Sequence, residues 1–249
     1  VVREDKNGTK ASATYTPTVT PVTPTASPAT SKDIQGATQT GKPVFTEGDS
    51  RVPMNDDVAA TFDDGSTTKT VDGVGTYTVA ADGTVTFVPE PRFTGTASAV
   101  TVVREDMNGT KASATYTPLV TPITITPTDK VSEDVQNVPQ TQTPTFDLSN
   151  DKTAEITSKK LVNPATGQPT DETTVTVAGE GSYTIDPTTG AVTFTPEKDF
   201  VGTATGVTVQ ATATITNADG KTATITSDAT YTPTVVAAVP TAKPATSKD

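Results

Sequence analysis

The 249-residue chain contains no cysteine, no histidine and no tryptophan. Without cysteine there are no disulfide staples and no thiol chemistry, although the redox compartment stays open. Without histidine the commonest general base and the commonest metal ligand are missing. Aromatic residues make up 5% of the chain and apolar residues 32%, low for a globular protein and poor material for an aromatic binding platform. No apolar run approaches the roughly 20 residues needed to span a bilayer. Positive charge is scarce too: 18 Lys and Arg against 29 Asp and Glu leave a net charge of −11. Such a surface repels nucleic acid and anionic membrane, so neither is expected as a partner. The chain does not start with Met and shows no signal peptide or anchoring tail, so targeting information is expected outside this segment.

Thr is abundant instead, at 58 residues, beside 20 Pro. Its β-branched side chain suits the outward face of a strand and disfavours helix. Low hydrophobicity by itself suggests disorder. The apolar residues are regularly spaced, however, and that spacing argues for a folded chain.

Internal repetition dominates the sequence. Residues 1–21, VVREDKNGTKASATYTPTVTP, recur at 102–122 with changes only at Lys6/Met107 and Thr18/Leu119. The same shift of 101 carries Asp33, Gln35, Gln39, Pro43 and Phe45 onto Asp134, Gln136, Gln140, Pro144 and Phe146. A more diverged copy aligns GTYTVAADGTVTFVPEPRFTGTASAVTV at 75–102 with GSYTIDPTTGAVTFTPEKDFVGTATGVTV at 181–209. Tyr15, Tyr116 and Tyr231 mark one late position, at spacings of 101 and 115. PTAKPATSKD at 240–249 repeats PTASPATSKD at 24–33. These alignments divide the chain into the end of one repeat (1–23), two whole repeats (24–124 and 125–239) and the start of another (240–249). Of the 14 extra residues in the second whole repeat, five fall between Phe146 and Tyr183, one in the turn Asp186–Gly190 and eight between Val209 and Tyr231. They are expected in turns or in hairpin arms beside them.

The periodicity is that of strands. Tyr77, Val79, Val85 and Phe87 alternate around Asp82-Gly83 and can share one face, with Tyr183, Ile185, Val192 and Phe194 as their counterparts. A corner follows at Pro89–Gly95, matched by Pro196–Gly202. A long hairpin then turns at Asn108-Gly109, as others do at Asn7-Gly8 and Asp219-Gly220. About seven short strands per roughly 100 residues, with no helical period, predict all-β, tandem Ig-like β-sandwiches. The Pro/Thr runs at 16–30, 117–128 and 232–246 are expected to be extended connectors or edge strands that make the array an elongated rod. In the second repeat's longer hairpin, Val207, Val209, Ala211, Ala213 and Ile215 keep an apolar face. That face is expected to pack on the adjoining repeat or linker, with a ligand-contacting finger as the other reading.

The phrases TSKDIQGATQTGKPVF, GTYTVAADGTVTFVPEPRFTGTASAVTV and ATYTP resemble the fibril repeat of CshA-type streptococcal surface adhesins, over essentially the whole chain. The resemblance implies an extracellular, cell-wall-anchored fibril of a Gram-positive bacterium. Its repeats would hold a distal ligand-binding region away from the cell. In that family host binding, notably to fibronectin, is associated with a non-repetitive N-terminal region, so no binding residue carries over to this chain. The partners implied are neighbouring repeats of the same chain and, through the full-length adhesin, host extracellular-matrix protein or other bacteria.

Candidate sites have simpler structural readings. Asp56-Asp57 and Asp63-Asp64 offer calcium-type oxygens but read as solvated acidic loops. In Asp106-x-Asn108-Gly109 the Gly comes too early for an EF-hand, and a hairpin turn explains it. Ser31-Lys32 and Ser158-Lys159 would put adjacent side chains on opposite strand faces, so neither pair makes a dyad. The glycosylation sequons Asn7-Gly8-Thr9 and Asn108-Gly109-Thr110 coincide with turns. Lys10 and Lys111, candidates for Lys–Asn isopeptide crosslinks of the kind Gram-positive adhesins can carry, lie near hairpin tips where burial is not expected. The reading is therefore of a structural stalk with no catalytic, cofactor-binding or metal residues, no cofactor and no enzymatic activity. The alternative is a repeat that binds a host protein or glycan through its loops.

Overall fold

The computed structural model describes residues 1–240 and Ala242; the expected start of a further repeat at 240–249 otherwise lies outside the described residues. The chain is all-β. A hairpin of β1 (Val2–Glu4) and β2 (Lys10–Ser12) comes first and is exposed throughout. Two β-sandwiches follow.

The first contains β3 (Thr25–Ser27), β4 (Ala29–Ile34), β5 (Gln39–Gly41), β6 (Val44–Thr46), β7 (Thr61–Phe62), β8 (Thr68–Val71), β9 (Gly75–Val79), β10 (Val85–Pro89), β11 (Gly95–Thr96), β12 (Val100–Glu105) and β13 (Lys111–Thr121). One sheet runs β5-β10-β9-β8; the other runs β11-β13-β12-β7, with β4 added parallel along β13. The second sandwich repeats this plan with β14 (Ile125–Thr128), β15 (Lys130–Val135), β16 (Gln140–Gln142), β17 (Thr145–Leu148), β18 (Ala154–Asn163), β19 (Gln168–Pro169), β20 (Thr174–Val177), β21 (Gly181–Ile185), β22 (Val192–Pro196), β23 (Gly202–Thr203), β24 (Val207–Thr216) and β25 (Thr222–Val236). Here β16-β22-β21-β20 faces β15-β25-β24-β18-β19.

The alternation read from the sequence is the alternation that packs. Tyr77, Val79, Val85 and Phe87 are buried with Phe62, Val100, Val102, Tyr116 and Val120 between the two sheets. Tyr183, Ile185, Val192 and Phe194 hold the same places in the second core, beside Leu161, Val207, Val209 and Tyr231. Tyr77 stacks on Phe87 at 4.5 Å and Tyr183 lies 4.7 Å from Phe194. Each such side chain contributes about 1.5–3 kcal/mol when fully buried, so a small set of apolar residues holds each Thr-rich sandwich together.

The Pro/Thr stretches divide between strand and link. Residues 117–121 complete β13, with Pro118 and Val120 buried, and 125–128 form β14 against β17. Only Pro122–Thr124 connect the sandwiches. Proline tolerates these strands because β14 pairs along one side only, and β13 accepts through the Pro118 carbonyl from Ala97 N at 2.9 Å.

The additions in the second sandwich lie side by side. Where the first sandwich has a loop over 47–60 and the short β7, the second has the ten-residue β18. β18 pairs with the lengthened arm β24 from Ala154–Ile215 to Leu161–Val209, with a bulge between Ile156 and Ser158. The additions between Val209 and Tyr231 lie in the hairpin arms β24 and β25, and those between Phe146 and Tyr183 meet them in the same sheet through β18. A lengthened arm needs a neighbour for its backbone hydrogen bonds, and β18 supplies it.

Candidate functional site: the junction between the sandwiches

The residues that matter most for how this chain is assembled gather where the exit end of the first sandwich meets the entry end of the second. The exit face is built from the turn after β4 (Ile34, Gln35, Gly36) and the corner Pro89–Pro91. The entry face is built from Lys152–Ala154 and the tip of the β24–β25 hairpin.

Gln35 is buried and uses every polar group. Its Nε2 donates to Pro91 O at 2.7 Å, its Oε1 accepts from Ile123 N at 3.2 Å, and its carbonyl accepts from Thr153 Oγ1 at 2.6 Å. The corner and the linker are tied to its side chain and the next sandwich to its backbone carbonyl. From the other side Asn217, also buried, donates through Nδ2 to Pro89 O at 2.8 Å while Oδ1 accepts from the Asp219 and Lys221 amides of its own tip. Between these bonds lies a small apolar cluster of Ile123, Ala154 and Ile215, joined by Ile34, Leu148 and Ile225. The apolar face expected along the extended arms therefore ends buried at the junction.

Two ion pairs flank the cluster. Lys152 Nζ meets Asp33 Oδ2 at 2.9 Å, and Lys221 pairs with Glu90. Burial alone would raise the Asp33 carboxyl, but the Lys152 hydrogen bond and charge and the Ile34 amide together hold it below its ordinary value. Hydrogen bonding to Glu90 raises Lys221. Both pairs are solvent-accessible, so they orient the faces more than they bind them.

A second arrangement recurs inside each sandwich. Ser31 Oγ on β4 meets Tyr116 OH on β13 at 2.7 Å and donates to Gln39 Oε1, while Gln39 Nε2 donates to Leu119 O at 3.1 Å. Ser132, Tyr231 and Gln140 repeat it, with Ser132–Tyr231 at 2.7 Å and Gln140 Nε2–Thr234 O at 2.9 Å. These clasps pin β4 and β15 to the core of each sandwich.

The candidate residues of the sequence are dispersed. Asp56 pairs with Arg104 at 2.6 Å; Asp63 and Asp64 pair with Lys69 at 3.0 and 3.5 Å; Asp57 is exposed. Among the described residues no three His, Cys, Asp or Glu side chains come together as a metal site. Asp106 Oδ1 accepts from the amides of Asn108 and Thr110 at 2.9 and 2.8 Å, the hairpin-turn role, and Asp5 does the same at the first tip. Ser31 faces Tyr116 while Lys32 is exposed, and Lys159 Nζ donates to Thr189 O at 3.0 Å, so neither Ser-Lys pair forms a dyad. Lys10 and Lys111 are exposed. Sequence reasoning missed Gln35, Gly36 and Asn217. The available signals were the replacement of Asp5 and Asp106 by Asn at 217, and of Gly36 by Asn at 137.

The repetition is matched by a known family. A family model described as the surface adhesin CshA repetitive domain matches residues 21–120 and again 122–235. Repeat domain 13 of the fibrillar adhesin CshA from Streptococcus gordonii, solved by NMR, is 53% identical over 28% of this chain and 90% of that domain, with a TM-score of 0.18. The titin domains Z1Z2, crystallised with telethonin, are 15% identical over 89% of this chain and 100% of that one, with a TM-score of 0.42. Drosophila N-cadherin EC1-3 is 13% identical over 87% of this chain and 68% of that one, with a TM-score of 0.28. None of the curated proteins compared with the chain is significantly similar to it.

Proposed function

The chain belongs to the family of CshA surface-adhesin repetitive domains, and on that premise we propose that it is a stalk segment. Its sandwiches would extend a cell-wall-anchored fibril and carry a distal binding region outward. We further propose residues 24–124 and 125–239 as the repeating units, with 1–23 and 240–249 belonging to their neighbours. In this reading the segment performs no chemistry, and its partners are the adjoining repeats.

The observation that supports this reading is the parallel pairing of β4 with β13, and of β15 with β25, over Ala29–Ile34 and Lys130–Val135. Two neighbouring strands that run the same way place entry and exit at opposite ends of the sandwich. Copies joined by so short a link as Pro122–Thr124 then add length instead of folding back. Tension between the ends also loads the paired strands along their length, so that the ladder bonds and the Ser–Tyr–Gln clasps resist together.

Small-angle scattering tests this. A compact chain of this length would have a radius of gyration of about 18 Å. A clearly larger value, unchanged from low to moderate salt, is expected; a value at the compact limit overturns the stalk reading.

A further inference from the structure

The exit face occurs twice in the chain, in two versions. In the first, Gly36 is buried and holds a left-handed φ of +81°. A Cβ placed there would lie 3.1 Å from Ile215 Cγ2, 3.2 Å from Thr216 O and 3.3 Å from Thr153 Cβ. One of these is backbone and Ile215 is itself fully buried, so the neighbour has no easy way to yield. In the second version Asn137 takes the same place at φ 67°, as Asn can, and it is exposed.

The rest of the second exit face keeps the design of the first. Gln136 N donates to Val236 O at 2.9 Å and its Oε1 accepts from Ala238 N at 3.2 Å. Those bonds copy Gln35 N to Thr121 O at 2.8 Å and Ile123 N to Gln35 Oε1 at 3.2 Å. Val135 stands where Ile34 enters the junction cluster, and it is 42% exposed. This face has the framework that receives a neighbour, but it carries a Cβ at the position where one on Gly36 would crowd Ile215 and Thr216.

We propose that this left-handed position selects the neighbour. Gly36 admits a copy with the long hairpin, whereas the Asn137 face takes a copy with the short hairpin of the first sandwich. The short tip lacks four residues per arm, about 13 Å of reach, which leaves room for Asn137. Its own lateral support is internal, because Met107 N donates to Pro53 O at 3.0 Å and Asn55 N to Glu105 O at 2.9 Å. The occupant agrees with the order of the sequence, since PTAKPATSKD at 240–249 repeats the opening PTASPATSKD of the first sandwich. The inference rests on the stalk reading only in taking a further copy to follow.

The test begins with Gly36→Asn in the full chain. The second sandwich already accommodates Asn at this position, so the variant folds. Nuclear Overhauser contacts between residues 34–36 and 215–216 should vanish, and amide relaxation should show the sandwiches tumbling separately, with each retaining its own melting transition. Contacts and a shared correlation time that survive the substitution overturn the proposal. A second arm extends the full chain after residue 239 with a copy of either sandwich. The long-hairpin copy should stay loosely tethered on Asn137 and become ordered with Asn137→Gly, while the short-hairpin copy should be ordered on Asn137 itself. Equal order of both copies on Asn137 also overturns it. These readouts report neighbour choice, whereas failure of the stalk reading would show as a compact scattering profile in the unmodified chain.

Discussion

Asn217 holds its own hairpin tip with one side-chain atom and the preceding sandwich with the other, donating through Nδ2 to Pro89 O at 2.8 Å. Asp106, at the same tip position in the first sandwich, holds its turn in the same way but has no N–H to donate. One atom separates a turn from a turn that also grips its neighbour.

Replacing Asn217 by Asp should therefore keep the tip and weaken only the grip. The turn amides retain their acceptor, while Pro89 O loses its donor and faces a carboxylate oxygen. Leaving a buried carbonyl unpaired costs on the order of 1–3 kcal/mol. Urea unfolding should show that loss, with hydrogen exchange at Asp219 and Lys221 little changed; fast exchange at those amides would mean that the turn had failed as well.

Ile215 should matter far more to the junction than its ion pairs do. It is fully buried in the apolar cluster, and Ile215→Ala should destabilise the chain by about 2–5 kcal/mol. The double variant Lys152→Ala, Lys221→Ala should change the denaturation midpoint only slightly, as should raising the salt concentration. A larger effect from the lysines than from Ile215 would reverse this ranking.

The clasp in the second sandwich can be opened by Tyr231→Phe. The substitution removes the hydroxyl that meets Ser132 Oγ at 2.7 Å and Gln140 O at 3.2 Å, and leaves the ring packing in place. Stranding those partners should cost about 1–3 kcal/mol, read as a lower denaturation midpoint. An unchanged midpoint would show that the hydroxyl does not hold β15.

Alkaline pH should unfold the chain through its buried tyrosines. Burial raises Tyr77, Tyr116, Tyr183 and Tyr231 above the ordinary tyrosine value, Tyr77 and Tyr183 most. The folded state then holds these protons more tightly than the unfolded state, so stability is complete below about pH 10 and falls as pH rises beyond it. Tyrosinate absorbance from these four should appear together with loss of structure; ionisation without unfolding would contradict the burial argument.

Chelation of divalent cations should leave the melting temperature unchanged. Asp56 is paired with Arg104, and Asp63 and Asp64 with Lys69. A ligand at 100 times its dissociation constant would add about 2.7 kcal/mol, enough to see in a thermal scan. A drop of several degrees on chelation would reveal a cation site.

Particular residues show how far the sequence reaches. Tyr77, Val79, Val85 and Phe87 announce a shared strand face because side-chain direction alternates with period two, a local property of extended backbone. Asn108-Gly109 and Asp219-Gly220 announce hairpin tips because few residues adopt left-handed backbone, and that too is local. Nothing local reveals that β4 would pair parallel with β13, or that Ser31 would meet Tyr116, 85 residues away. These contacts arise only when the two sheets close on each other.

The sequence alone determined the repeat, the all-β character, most of the core and the hairpin tips. Each follows from self-similarity or from the conformational preference of neighbouring residues. Tertiary structure decided that the extra residues of β18 and of β24–β25 are partners, since backbone groups of a lengthened arm must find hydrogen bonds somewhere. It also gave meaning to single changes that look neutral in an alignment. Gly36 and Asn137 both satisfy a left-handed turn, and Asp106 and Asn217 both satisfy a hairpin tip. Only the close approach of a second sandwich, with backbone and Ile215 within 3.1–3.3 Å of where a Cβ would sit, separates one from the other. That approach is a property of two packed bodies, and no stretch of chain carries it by itself.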